Sequence, residues 1–467
     1  MLTRCDQKGS LVTAWSPIRR EGKAAGTRVH TYTYTHTTVR VRQRDIHTVR
    51  IMNKMMKAML MFAMIAGCVL IAAADEHVAS ELEEAHSDAD ELISAGESGT
   101  VNVGGIDILE EVAGLTQISD DVCELYDPAM KDKPIDWDKT QAAYEEEHEI
   151  DGFTYSLQSL AQEGVEVFGL PQGEHWAEYA EYFGDESWMD TFIEDAISGA
   201  TSNEVDDVRK VYVQKEARDG IMTSLMLEFL DDAHDTLADA EAGADIEEVK
   251  HDAREEWDAA WAVYYGSNTD LDSGVNTTQK CAPYGTADRK AEDFGADNDV
   301  NAAIMADITS GQEIIEGIES EDDLEAAAEA LEPLIEDIVR ELIVTYLRSA
   351  VRYAERMDAG AALERAAHEF DDVEDFKGSG LKYVQKAQGE GYVFTKVVIP
   401  LVAEYDSEAA DYLMDAFSDI PETEDEVLND YEEVLPGVLE AVGSVLEAIG
   451  ITEEDFGVYD SDRETTD

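Results

Sequence analysis

The sequence predicts an all-α protein, a helical bundle in two lobes built from a duplicated helical unit. Three observations carry this expectation. Ala, Glu and Asp dominate the 467 residues while proline numbers only 9, and Ala and Glu are strong helix formers. Apolar residues recur at spacings of three, four and seven over long stretches, which is the period of one helix face. Alternation of β-branched residues is short wherever it occurs, leaving little material for sheet.

Residues 1–51 mix Arg and Thr with a tandem run, HTYTYTHTT, and show neither helical nor strand period. They are expected to be a disordered, non-native upstream segment. From Met52 the text MNKMMKAMLMFAMIAGCVLIAAADE sets Lys54 and Lys57 ahead of an apolar run that ends in Ala72, Ala73 and Ala74. That order is the order of a secretory signal peptide at 52–74, with translation starting at Met52, Met55 or Met56. The run is short for a membrane span, and it continues past Gly67-Cys68, which argues against a lipoprotein site there. The product is expected to be secreted, to a periplasmic space or the cell surface, with no membrane insertion after cleavage. The polar C-terminal DSDRETTD is likewise not a lipid-anchor tail.

Beyond the signal, lobe one is expected over 75–266, a loop over 267–288, lobe two over 289–450 and an acidic tail over 451–467. Helical spacing runs through Val211 to Leu237 and Val249 to Tyr265. Ser320 with Asp323 forms a capping-box pattern. After it, Leu331, Ile335, Ile338, Leu342, Tyr346, Tyr353 and Met357 make one apolar stripe, with Pro333 a point where the helix kinks or restarts. A last helix over Val427 to Ile449 is closed by Gly450. Turn formers fill SNTDLDSGVNTTQKCAPYGTAD (267–288) and DFKGSG (375–380); the first contains the sequon Asn276-Thr277-Thr278. The duplication rests on FGDESWMDTFIEDAISG (183–199) and FGADNDVNAAIMADITSG (294–311). Both open on Phe-Gly, continue into an Ile-bearing amphipathic helix and close on Ser-Gly.

Charge narrows the function classes. The formal net charge is −72. The first 74 residues hold twelve of the 34 Lys/Arg and three of the 106 Asp/Glu, so the remainder sets 22 basic against 103 acidic side chains. Nucleic acid and anionic membrane surfaces are therefore poor partners. Solubility in salty water is the plain reading of such a charge, and a metal ion or a cationic partner is the sharper one. Cys123 and Cys281 remain after the signal, enough for one disulfide and too few for a thiolate metal site. No nucleophile elbow, phosphate-binding glycine loop or H-E-x-x-H pair is present, so the sequence offers no catalytic motif.

Metal chemistry has two places to sit. In GEHWAEY, Gly173, His175 and Glu178 form a G-x-H-x-x-E string followed by Tyr179 and Tyr182. On a helix His175, Glu178, Tyr179 and Tyr182 converge on one face, offering the oxygen-rich, nitrogen-assisted donors that ferric iron prefers. The plain alternative is a helix start whose Trp176 and Tyr179 pack inward while His175 and Glu178 are solvated. In the second cluster Asp258 precedes Tyr265 by seven residues, with Trp261 between. A buried carboxylate there requires a metal, an Arg or the surface.

The chain resembles the low-iron-inducible periplasmic, iron-assimilating proteins of algae and related eukaryotic microbes. The resemblance lies in YAEYFGDESWMDTFIEDAISG, in WDAAWAVYYGS with APYGTADRKAEDFG, in SAVRYAERMD (349–358) and in GEGYVFTKVVIPLVAEYDSEAA (389–410). Separately, GEHWAEY is similar to the metal motif of imelysin-type bacterial iron-regulated proteins, although the rest of that pattern is missing. The resemblance implies a secreted protein, not an enzyme, that aids iron uptake under iron limitation and works with a membrane uptake system. It makes His175, Glu178, Tyr182, Asp258, Tyr265, Tyr353, Asp358 and Glu390 candidate ligands for Fe(III), with or without a synergistic anion such as carbonate. Two rival expectations stand beside it: an acidic cell-surface or wall-associated interaction protein without a specific metal, and an imelysin-like metal-dependent peptidase.

Overall fold

A computed structural model describes residues 12–24, 27–39, 99–126, 135–150, 152–200, 205–240, 243–267, 281–296, 300–369, 379–430 and 434–460. The expected signal peptide at 52–74 and the sequon at Asn276 lie outside these residues. The chain divides into two units, Met1–Glu97 and Ser98–Asp467.

In the first unit, β1 (Val12–Ala24) pairs antiparallel with β2 (Thr27–Val39), from Val12 opposite Val39 to Ala24 opposite Thr27. This corrects the expectation of a segment without strand character. Thr, Tyr and Val dominate β2 and favour extended backbone even where no apolar alternation marks a buried face.

Among its described residues the second unit is all-α apart from two small hairpins. The first hairpin joins β3 (Thr100–Val103) to β4 (Ile106–Leu109), and the second joins β5 (His148–Ile150) to β6 (Phe153–Tyr155). A 3₁₀ segment, Glu110–Gln117, leads into α1 (Ile118–Tyr126). Then come α2 (Trp137–Tyr144), capped by Asp136, and α3 (Leu157–Glu163), opened by a Ser156/Ser159 capping box. The next two helices are α4 (Glu174–Phe183) and α5 (Trp188–Ser198). The Val211 to Leu237 pattern becomes α6 (Asp206–Lys215) and α7 (Met222–Ala238), joined by a π-helical turn at Glu216–Ile221. Helices α8 (Ile246–Tyr265), α9 (Pro283–Phe294) and α10 (Val300–Glu316) follow.

The centre of the unit is α11 (Glu321–Glu369) packed along α12 (Ser379–Tyr405). Every residue of the predicted stripe from Leu331 to Met357 is buried, and Ser320 Oγ donates to Asp323 Oδ2 at 2.8 Å where α11 begins. Pro333 lies inside a continuous helix and does not restart it. After α13 (Ser407–Ser418), the expected last helix is described as α14 (Glu424–Asp430) and α15 (Val434–Ile449), with 431–433 outside the described residues. Gly450 closes α15 at φ +77°.

Three boundaries differ from expectation. Residues 98–467 are one compact unit around one continuous core, and no lobe boundary falls at 267–288, because α7 packs on α11 and α6 on α12 across it. The expected loop gives way to α9 at Pro283, whose fixed φ suits a first helical position. The acidic tail is docked through residue 460. A short α16 (Glu453–Phe456) buries Phe456, Val458 N donates to Phe294 O at 3.0 Å, and Arg348 donates to the carbonyls of Phe456 and Asp455 at 2.9 Å each.

The proposed duplication is visible at its start and fails at its end. Gly184 (φ +68°) and Gly295 (φ +55°) are both left-handed caps of the helix before the copy. The closing glycines differ: Gly199 caps α5, whereas Gly311 sits within α10 against Trp257, whose ring atoms would lie 2.2 Å from an added Cβ.

Candidate functional site

The G-x-H-x-x-E string opens α4, and no side chain of its own caps that helix. Asp231 does so from α7. Its carboxylate accepts from the backbone N of His175 at 3.0 Å and lies 2.8 Å from the ring Nδ1. Asp231 also explains the glycine, since a Cβ on Gly173 would lie 2.6 Å from Asp231 Oδ2. With Nδ1 held by a carboxylate, Nε2 is the nitrogen left to face a ligand, the arrangement common behind metal-binding imidazoles. Burial opposes protonation of His175, but Asp231, with help from Glu178 and Glu404, outweighs it and raises the imidazole pKa.

One turn on, Glu178 is half-buried and hydrogen-bonded to Glu404 near the end of α12. Two carboxyls can share such a bond only through a proton. Burial first, then Glu404, push Glu178 up to about 7. Trp176 and Tyr179 of the same helix turn inward, and Tyr179 Oη donates to Val397 O at 2.6 Å. Tyr182 is 37% exposed and rests on Phe183; besides burial, Asp411 and Asp415 on α13 raise its phenol pKa. The predicted face therefore holds His175 and Glu178, joined by Glu404 rather than by Tyr179.

The other candidates fall in two further neighbourhoods. Asp258 is fully buried and accepts from Arg254 Nε at 2.8 Å, Gln312 Nε2 at 2.6 Å and Leu109 N at 2.9 Å. Of the three resolutions open to it, an Arg is the one realised. Its carboxylate ties β4 and α10 to α8. Tyr265 stacks on Trp261 at 5.6 Å and meets Tyr284 edge-on at 4.8 Å, in the close-packed role usual for an aromatic stripe.

Tyr353 is also fully buried, parallel to Phe394 at 5.6 Å. Lys290, Arg352 and Arg356 stand 5.2, 5.6 and 5.3 Å from its ring centre. Three cations round one ring oppose the entry of another. Glu390 is buried beside Arg356 at 3.4 Å and Lys386 at 3.7 Å, while half-buried Asp358 acts electrostatically on Glu355. Other buried ion pairs of this unit include Lys396–Glu216 (2.6 Å), Arg218–Asp219 (2.7 Å) and Arg352–Asp293 (2.9 Å).

Comparison with protein-family models, with curated proteins and with solved structures finds no match. The site must be read from its own geometry. Among the described residues, no three His, Cys, Asp or Glu side chains are already gathered closely enough to hold a metal ion, and no helix is long and apolar enough to cross a membrane.

Donor chemistry is concentrated in one more place. An opening of about 510 Å³ is lined by Asp120, Asp121, Glu124 and His148 among others. Asp121 accepts from Tyr155 Oη and faces His148 at 3.3 Å. The disulfide Cys123–Cys281 leaves α1 beside it, bridging 158 residues of sequence.

Sequence reasoning missed Asp231 and Glu404. Asp231-Asp232, in MLEFLDDAHD, interrupts an apolar helix, and Glu404 ends the apolar run VVIPLVAEY. An acid set in an apolar stripe is the signal that marks both.

Proposed function

We propose that the protein is an extracytoplasmic iron-binding protein that assists uptake of ferric iron, as a carrier rather than a catalyst. Its ligands on this reading are His175, Glu178 and Glu404. One observation carries it: an imidazole oriented by Asp231 shares a helix face with Glu178, which is hydrogen-bonded to Glu404. Glu404 is exposed and Glu178 half-buried, so side-chain rotation would close the set on a hard cation and displace the proton the pair shares. The likeness to low-iron-inducible algal proteins supports the same reading, as does a disulfide suited to an oxidising compartment. Release would follow protonation of the carboxylates or reduction to Fe(II), since both weaken hard-anion coordination.

The test is a ferric titration in high salt against a competing chelator, with bound iron measured by dialysis. One saturating equivalent is expected, lost in His175→Ala and in Glu404→Gln and retained in Asp258→Asn. Saturation that survives His175→Ala but not His148→Ala would move the site to the opening beside the disulfide. Weak binding at many sites, abolished by salt, would leave the second reading, an acidic surface protein without a specific metal, which the net charge of −72 favours.

A further inference from the structure

A cavity of about 270 Å³ opens between the 3₁₀ segment 110–117, the β5–β6 hairpin, α7 and α8. Its walls combine two chemistries. Three phenyl rings form one side: Phe153 meets Phe168 edge-on at 6.0 Å, and Phe168 lies 5.9 Å from Phe229. Phe153 is 43% exposed, a large apolar ring open to solvent at this wall. The other side is acidic, with Glu111, Asp252, Glu255 and Glu256, and among the described residues no Lys or Arg lines the cavity.

The acid at the wall is held there at a cost. Glu256 is 9% exposed and accepts one hydrogen bond, from Thr236 Oγ1 at 2.7 Å. Behind it Asp232 is 4% exposed, with Oδ2 lacking any hydrogen-bond partner. Burial and the neighbouring acids push Glu256 to about 7 and Asp232 to about 8. Carboxylates kept in such surroundings gain when a cation comes to rest against them.

We propose that this cavity binds a small organic cation, an alkylated ammonium whose apolar body fits among Phe153, Phe168 and Phe229 while its charge faces Glu256. Phenyl faces attract quaternary ammonium groups through their quadrupole, and an arriving cation favours the ionised form of Glu256, whose charge then adds to that attraction. A hydrated metal ion has no apolar body to bury among the rings, and a neutral apolar ligand brings no charge to the acids. The volume sits just below the usual range of ligand pockets, about 300–1,000 Å³, and so favours a compact guest.

The experiment is calorimetric titration of the full-length chain with choline and with its uncharged isostere 3,3-dimethylbutan-1-ol. Salt near 0.5 M screens the general surface charge. Choline is expected to bind at one site, about tenfold or more tighter than the isostere. Glu256→Gln and Phe153→Ala should each weaken choline about tenfold, with circular dichroism unchanged, while Glu329→Gln on α11 leaves it alone. Equal binding of choline and the isostere overturns the proposal. So does choline affinity that survives both substitutions in folded protein.

Discussion

Asp232 and Glu256 show how a buried carboxyl changes the energetics of a helix pair. Both, with Glu178, have pKa values raised to about 7 or 8, so the folded chain keeps protons that the unfolded chain releases near pH 4. The folded state then binds more protons up to about pH 8, and stability falls as pH rises through that window. His175 acts in the same direction, since its raised pKa gives stability present below the unfolded value and lost as pH rises through the folded one. Asp232→Asn removes the charge without changing shape, and is expected to stabilise the chain by about 1–2 kcal/mol at alkaline pH and by little near pH 5. Urea melts at both pH values check this; a substitution that leaves the pH slope untouched would count against it. The candidate site was partly legible at this scale. His175 and Glu178 stand out in the string because their types and spacing suit a metal, whereas Asp258 met the same criteria and found Arg254.

Between helices, distance of approach decides what a sequence position is for. Gly311 looks like the end of a repeat, yet it lets α10 come down on Trp257, whose Nε1 donates to Ile308 O at 2.8 Å. Gly311→Ala should cost about 1–3 kcal/mol by forcing the indole aside. A denaturation midpoint unchanged from wild type would show that the ring moves freely. Gly173 has the same logic, since Asp231 occupies the space a side chain would need. The stripe of α11 was readable because seven apolar positions share one face; the break of α6–α7 into a π-turn was not, since its residues Glu216, Arg218 and Asp219 look like surface residues until Lys396 and Thr286 are placed against them.

Over the whole molecule, scarce cations are concentrated inside. Among the described residues after position 74, seven basic side chains are buried: Lys215, Arg218, Arg254, Lys290, Arg348, Arg352 and Lys396. Carboxylates such as Glu216, Asp219, Asp258 and Asp293 are buried with them, so these cations answer interior acids and do not offset the acids at the surface. Surface repulsion of this kind weakens a fold at low salt, which makes a covalent tie valuable. Reduction of Cys123–Cys281 is expected to lower stability by about 2–4 kcal/mol by freeing a long loop in the unfolded chain. Melts with and without reductant measure it, and coincident curves would show that the bridge contributes nothing.

The sequence by itself determined the helical class, the buried face of α11, the cap at Gly450 and the pairing of His175 with Glu178 on one turn. Each of these depends on neighbours within a few residues, where spacing maps directly onto geometry. Only the tertiary structure decided that 98–467 is a single body, that Asp231 holds His175, that Glu404 meets Glu178 and that Tyr353 lies among cations. Those outcomes depend on which residues distant in the chain share a space, and in a chain with this many acids, composition gives almost no information about which carboxylate will find which partner.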